Sequence, residues 1–128
     1  MRIAEDSTRK LPIRFQRAEN LIIAAAVVVG FVYLDFSWWW LLALFLAFDA
    51  SAVGYLVNER VGAVCYNVVH SYFAPAALLL GYVLTSADWC AFLGLVWAFH
   101  IACDRALGYG LKFASGFQDT HLGRVGKG

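Results

Sequence analysis

Four apolar segments separated by short polar turns make up most of this chain. They cover residues 18–34, 38–57, 61–84 and 88–107. A helix needs about 20 residues to cross a hydrocarbon core of about 30 Å, and each segment comes close to that length. The apolar runs are continuous rather than alternating, which favours helices over the strands of a β-barrel. The pattern therefore predicts an all-α fold, an integral membrane bundle of four transmembrane helices.

The connections between these segments are short enough to make neighbouring helices antiparallel. Residues 35–37, 58–60 and 85–87 form the three turns, and turns of this length join adjacent helices in a bundle. Pro75 lies in the middle of the third segment. It deletes one backbone hydrogen bond there, so we expect a kink in the third helix.

Composition and charge support a lipid environment. Hydrophobic residues make up 62% of the chain and charged residues 15%, against about 45–50% and about 25% in a typical soluble domain. Under the four-span arrangement all ten Lys and Arg residues fall on one side of the membrane. The positive-inside rule then places both termini in the cytoplasm. We expect membrane lipid as a partner and no nucleic acid, because the basic residues flank the spans rather than forming a groove.

The predicted domain organisation has three parts. Residues 1–17 form a basic cytoplasmic N-terminal tail, either flexible throughout or ending in a short interfacial helix from Leu11. Residues 18–107 form the four-helix transmembrane domain, and residues 108–128 form a cytoplasmic segment that folds back on the bundle. Gly108 and Gly110 allow a sharp turn after the last helix. Asp119 and His121 would then return to the cytoplasmic mouth, both on one side of an extended segment.

Ionisable side chains inside the apolar segments fall at a similar depth. Such groups are costly in lipid and usually face the bundle interior, where they pair with one another. At a rise of about 1.5 Å per residue, the cytoplasmic half contains Asp49, His70, His100 and Asp104. His100 and Asp104 are four residues apart and share one helix face. We expect an inward-facing cluster, with Glu19, Asn67 and Arg105 as further polar residues of the same site.

Imidazoles and carboxylates together are ligands suited to a divalent metal, with zinc first and iron or manganese next. The ligands we favour are Asp49, His70, His100 and His121. A catalytic role falls to Asp104 or Asp119, which would orient a ligand or act as general base toward a metal-bound water. The predicted function is a metal-binding membrane protein, with a metal-dependent hydrolase of a lipid or amphiphile as its leading form.

Two other functions remain open at this point. The acids and histidines could relay protons or bind a cation in a small translocating protein, which would have to form a homo-oligomer because four spans enclose little volume. Alternatively, the polar groups could serve only to fix helix packing through interhelical hydrogen bonds. Metal content tests the metal-binding function, ion flux tests translocation, and a loss of stability without a loss of binding indicates a purely structural role.

Several short motifs resemble those of a bacterial membrane family known only as a domain of unknown function, DUF4260. They are Asp-x-Ser-x-x-Gly-Tyr at 49–55, Tyr-Asn-x-x-His at 66–70, His-x-x-x-Asp-Arg-x-x-Gly-Tyr-Gly-Leu-Lys at 100–112, and Asp-Thr-His-Leu-Gly at 119–123. Glu19 matches an acid near the start of the first span, and Phe113 departs from the family, which tends to have Tyr there. The resemblance implies a short multi-span protein of the bacterial inner membrane, and it implies no reaction.

Overall fold

The computed structural model describes residues 2–48, 56–108, 119–120 and 123–124. Within these ranges five helices follow one another, and a small antiparallel strand pair comes after them. The elements are α1 (Arg2–Tyr33), α2 (Trp39–Ala43), α3 (Glu59–Val69), α4 (Phe73–Thr85), α5 (Asp88–Leu107), β1 (Asp119–Thr120) and β2 (Gly123–Arg124). The pairing of β1 with β2 joins Asp119 to Arg124 and Thr120 to Gly123.

Helix α5 is the central element of the bundle, packed along α1 and α4 and touching α2. The core consists of side chains from three of these helices: Val27, Phe31, Leu41, Leu95, Val96 and Ala98. Gly94 lets α4 approach closely, since a Cβ at this position would lie 3.2 Å from Leu78 and Leu79. Small residues serve the same purpose in packed membrane helices.

Three helical stretches of the described chain are long and apolar enough to cross a membrane. They are Lys10–Tyr33, Glu59–Thr85 and Asp88–Leu107, with mean hydropathies of 1.5, 1.5 and 1.4. Many large apolar side chains on them stay exposed, among them Ile22, Val83 and Leu84. An apolar outer surface of this kind suits lipid rather than water, so the helices support a membrane protein. The fourth predicted span matches α5 in both of its bounds.

The second predicted span is described only over its first half. Helix α2 ends at Ala43 and 3₁₀ turns continue to Phe48, so the described part, Trp39–Phe48, is shorter than the about 20 residues that cross a hydrocarbon core. Residues 49–55 lie outside the described part of the chain. Four transmembrane helices therefore remain a prediction, of which three have a counterpart in the structure.

The N-terminal segment differs from expectation. Residues 1–17 were predicted to be a flexible tail with at most a short helix from Leu11, whereas α1 begins at Arg2 and continues through Pro12 into the first span. Arg, Glu and Lys have high helix propensity, and a helix already formed by the apolar part extends at little cost. The rest of the three-part organisation, including a C-terminal segment folded back on the bundle, stays a prediction, as does the cytoplasmic position of both termini.

Candidate metal centre

A helix break in the third apolar segment positions the candidate site. Helix α3 ends at Val69 and α4 begins at Phe73, leaving His70, Ser71 and Tyr72 between them. The predicted kink is thus confirmed as a full interruption. Pro75 explains its position, because it has no N–H to donate to the carbonyl of residue 71 and its ring crowds that carbonyl.

Two side chains of α5 satisfy the carbonyls that the break exposes. Trp97 Nε1 donates to the Val69 carbonyl at 2.6 Å, and an Arg105 guanidinium nitrogen donates to the His70 carbonyl at 3.3 Å. Backbone groups at membrane depth have no water to bind, so a broken helix is tolerated only where other groups replace the lost bonds. These contacts fix the break, and with it His70, against α5.

Three ionisable side chains meet at this break. His70 Nε2 lies 3.0 Å from His100 Nε2 and 3.4 Å from Asp104 Oδ2, and His100 Nε2 lies 3.1 Å from the same carboxylate oxygen. His100 is fully buried, and the residue exposures of His70 and Asp104 are 4% and 9%. All three contacts are short and shielded from solvent, so the electrostatic environment of each group is set mainly by the other two.

The His70 ring is held in one orientation by Tyr66. His70 Nδ1 lies 3.0 Å from the Tyr66 carbonyl oxygen, and the two rings stack with centroids 3.8 Å apart and an angle of 6° between planes. A carbonyl only accepts hydrogen bonds, so Nδ1 carries the proton. In a neutral imidazole the Nε2 lone pair then points at His100 and Asp104, as in metal-binding histidines whose other nitrogen donates to a carbonyl.

His100 is enclosed by aromatic rings from the short helical stretch after the first turn. The ring centroids of Phe45 and Phe48 lie 4.5 and 5.3 Å from that of His100. Residues three apart eclipse one another in a 3₁₀ helix, which explains how both phenyl rings reach one imidazole. The apolar enclosure excludes water from this side of the cluster and strengthens the electrostatic interactions within it.

The three ligand atoms have the separation that a single metal ion requires. Two atoms each about 2.05 Å from an ion are about 3.3 Å apart at a tetrahedral angle and about 2.9 Å apart at a right angle. The observed separations of 3.0, 3.1 and 3.4 Å fall within or close to this range. Two histidines and one carboxylate on one side of an ion would leave its other positions open, as in catalytic sites.

Comparison with known proteins identifies the family. A family model described as a domain of unknown function (DUF4260) matches residues 13–125. The chain belongs to the DUF4260 family. The resemblance predicted from the motifs is thereby confirmed, and the family description assigns no activity. No curated protein and no solved structure matches the chain significantly.

The structure brings together some of the predicted site residues of this DUF4260 protein and not others. His70, His100 and Asp104 converge, and Arg105 contacts the backbone of His70. Glu19 is exposed on α1 and is not part of the described cluster, and Asn67 is half-buried on α3. Three further candidates cannot be placed: Asp49 and His121 lie outside the described residues, as does the side chain of Asp119.

Two polar residues near the site were not predicted. Asn20 is 5% exposed, donates from Nδ2 to the Gln16 carbonyl at 2.7 Å, and accepts a hydrogen bond from the Tyr72 hydroxyl. Tyr72 lies in the helix break, so this bond joins α1 to the break. The sequence does contain a signal for Asn20, because an amide side chain inside the first apolar segment needs a hydrogen-bond partner. We favoured its neighbour Glu19, which lies about 100° further round the helix and faces outward.

Proposed function

We propose that this protein binds a divalent metal ion, zinc in the first place, through His70, His100 and Asp104. One observation carries the proposal. When the His70 ring is neutral and its Nδ1 donates to Tyr66, the lone pair of Nε2 lies 3.4 Å from a carboxylate oxygen and 3.0 Å from the nitrogen of a second imidazole. Two lone pairs that face each other in an apolar site repel unless a cation lies between them. A metal ion meets this requirement for all three groups at once.

Asp104 then takes a different role from the one expected. As a ligand it replaces Asp49 or His121 in the favoured set, and it is no longer the general base. Asp49, His121 and Asp119 remain candidates for a further ligand or for the base. The open positions of the ion would supply Lewis acidity and would lower the pKa of a bound water to about 7, which is the basis for proposing a hydrolase of a lipid or amphiphile.

The proposed location is the bacterial inner membrane, with both termini and the site on the cytoplasmic side. The distribution of Lys and Arg supports this orientation. Within α5, Asp104 and His100 lie three and seven residues before the end at Leu107, or roughly 5 and 10 Å from the helix end. A site at this depth lies close to the headgroup region of the inner leaflet.

Elemental analysis of the purified protein tests the proposal. After zinc loading and removal of excess metal, the wild type should retain about one ion per chain, and His100→Ala and Asp104→Asn should each retain little. Asp88→Asn is the matched control, because Asp88 is an exposed acid at the opposite end of the same helix. A folded wild type that retains no zinc, iron or manganese would refute metal binding.

A second candidate is proton or cation translocation by a homo-oligomer. The contact of 3.0 Å between the two imidazoles favours it, because a proton shared by His70 and His100 also separates the facing lone pairs. Translocation predicts flux through proteoliposomes that persists after chelation of metal and disappears in His100→Gln. A protein that keeps its structure only with bound metal, and that shows no flux in proteoliposomes, would favour the first proposal.

A further inference from the structure

Arg105 lies immediately beside the proposed metal centre. One guanidinium nitrogen donates to the carbonyl of His70, and the ring of the same His70 belongs to the cluster. The guanidinium carbon also lies 4.7 Å from the centroid of the Tyr72 ring, so the break supports the guanidinium from two sides. Arg105 is therefore positioned by the backbone that positions His70.

The positive charge of Arg105 has no carboxylate partner in the part of the chain that the structure describes. The neighbouring acid, Asp104, directs its Oδ2 atom at the two histidines. The Arg105 Nε atom is buried and makes no hydrogen bond within the described residues. A buried N–H of a charged group that lacks an acceptor is unfavourable, because the group has lost its hydrogen bonds to water. An acceptor carried by a bound anion would remove this cost.

A second guanidinium lies at the same end of α5. Arg17 Nε, from α1, donates to the Ala106 carbonyl at 2.9 Å, one residue beyond Arg105. In the described residues it too forms no ion pair with an acid. Arg105 is two residues from the end of α5 at Leu107, or roughly 3 Å along the axis. Two cations therefore lie near the end of the candidate span Asp88–Leu107, which under the proposed orientation is the level of the headgroup phosphates.

We propose that Arg105 forms a phosphate subsite next to the metal ion. The inference rests on the proposed metal-binding function and names the substrate class of that site. A guanidinium matches the oxygens of a phosphate with two parallel donors, and a metal ion with open positions can bind another oxygen of the same group. The phosphate is that of a lipid headgroup or of a soluble phosphate compound.

The test compares phosphate binding with metal content in the same variants. The probes are inorganic phosphate, titrated calorimetrically into the detergent-solubilised protein, and phosphatidylcholine vesicles with and without phosphatidic acid. Arg105→Gln should bind phosphate at least tenfold more weakly than the wild type while retaining its zinc, and Arg105→Lys should recover part of the loss. Arg14→Gln removes an exposed arginine of α1 and should behave as the wild type.

The outcomes separate the subsite from the metal centre. Preference for phosphatidic acid vesicles over inorganic phosphate assigns the subsite to a lipid headgroup, and the reverse assigns it to a soluble phosphate. Phosphate binding by Arg105→Gln within twofold of the wild type, with zinc retained, overturns the inference. If the wild type binds no metal, or if Arg105→Gln loses its metal, phosphate binding is measured on the metal-depleted wild type, which should still bind phosphate weakly. If neither probe binds to the wild type, with or without zinc, the phosphate subsite is overturned.

Discussion

Replacing Asp104 with asparagine distinguishes a metal ligand from a member of a structural network. The substitution keeps the shape of the side chain and removes its charge from an oxygen that lies 3.1 and 3.4 Å from two imidazole nitrogens. Loss of a residue that only orients a ligand lowers metal affinity by about 10–100-fold. Since Asp104 would be a ligand itself, we expect a loss of at least about 100-fold, or about 2.8 kcal/mol at 1.4 kcal/mol per tenfold.

The assay is thermal unfolding with and without zinc. At a zinc concentration 100 times the dissociation constant of the wild type, binding adds about 2.7 kcal/mol to the free energy of unfolding. With a dissociation constant raised about 100-fold, the same concentration adds only about 0.4 kcal/mol to Asp104→Asn. Asp88→Asn should keep the full increment, because its side chain is exposed at the other end of α5.

The stabilities of wild type and Asp104→Asn without zinc can refute the metal-centre reasoning. If the cluster is a metal centre, removing the carboxylate relieves a repulsion with the His70 lone pair, and metal-free Asp104→Asn should be as stable as metal-free wild type or more so. If the cluster is a structural ion pair, breaking it should cost about 3–5 kcal/mol. A large loss of stability without zinc, combined with no zinc-dependent increment in the wild type, would refute the reasoning.

Three further predictions concern the elements that hold the site. Trp97→Phe leaves the Val69 carbonyl without its donor and should lower the free energy of unfolding by about 1–3 kcal/mol; an unchanged midpoint in detergent would contradict this. Gly94→Ala should be less stable than Gly30→Ala by about 1–3 kcal/mol, because a Cβ at 94 would lie 3.2 Å from Leu78 and Leu79 of α4, whereas a Cβ at 30 would meet no neighbouring atom within 4 Å outside its own helix backbone; both substitutions gain the same helix propensity, so equal stabilities would contradict the close contact. Zinc retention should fall as the pH is lowered, because protons compete for the imidazole nitrogens, and retention independent of pH between 8 and 5 would count against histidine ligands.

The sequence predicted the elements whose pattern is uniform. Helix α5 has an apolar run of full length between a turn and Gly108, so both of its bounds could be predicted. The convergence of His70 and His100 followed from similar depths on separate spans. Their geometry did not, since Pro75 explains where the helix breaks, whereas the orientation of His70 toward α5 depends on the contacts of Trp97 and Arg105 with the exposed carbonyls.

Other features depend on tertiary contacts that hydropathy does not report. The end of α2 at Ala43 and the 3₁₀ turns after it place Phe45 and Phe48 on His100, although the apolar run itself continues. Asn20 is buried and its neighbour Glu19 is not because of how α1 is rotated about its axis. Adjacent residues of a helix point about 100° apart, and hydropathy alone does not tell which of the two faces the bundle.

The helix break is the strongest indication that the cluster has a function beyond packing. An uninterrupted helix would satisfy all of its own backbone groups in lipid, whereas this one gives up bonds at His70 and recovers them through two long side chains of α5. Packing alone does not require this, because interhelical hydrogen bonds between intact helices contribute only about 0.6 kcal/mol each. Irregular backbone at membrane depth occurs where it is buried in protein or lines a cavity. The interruption accompanies an arrangement in which the Tyr66 carbonyl holds His70 with its Nε2 toward His100 and Asp104, and this arrangement could hold a cation.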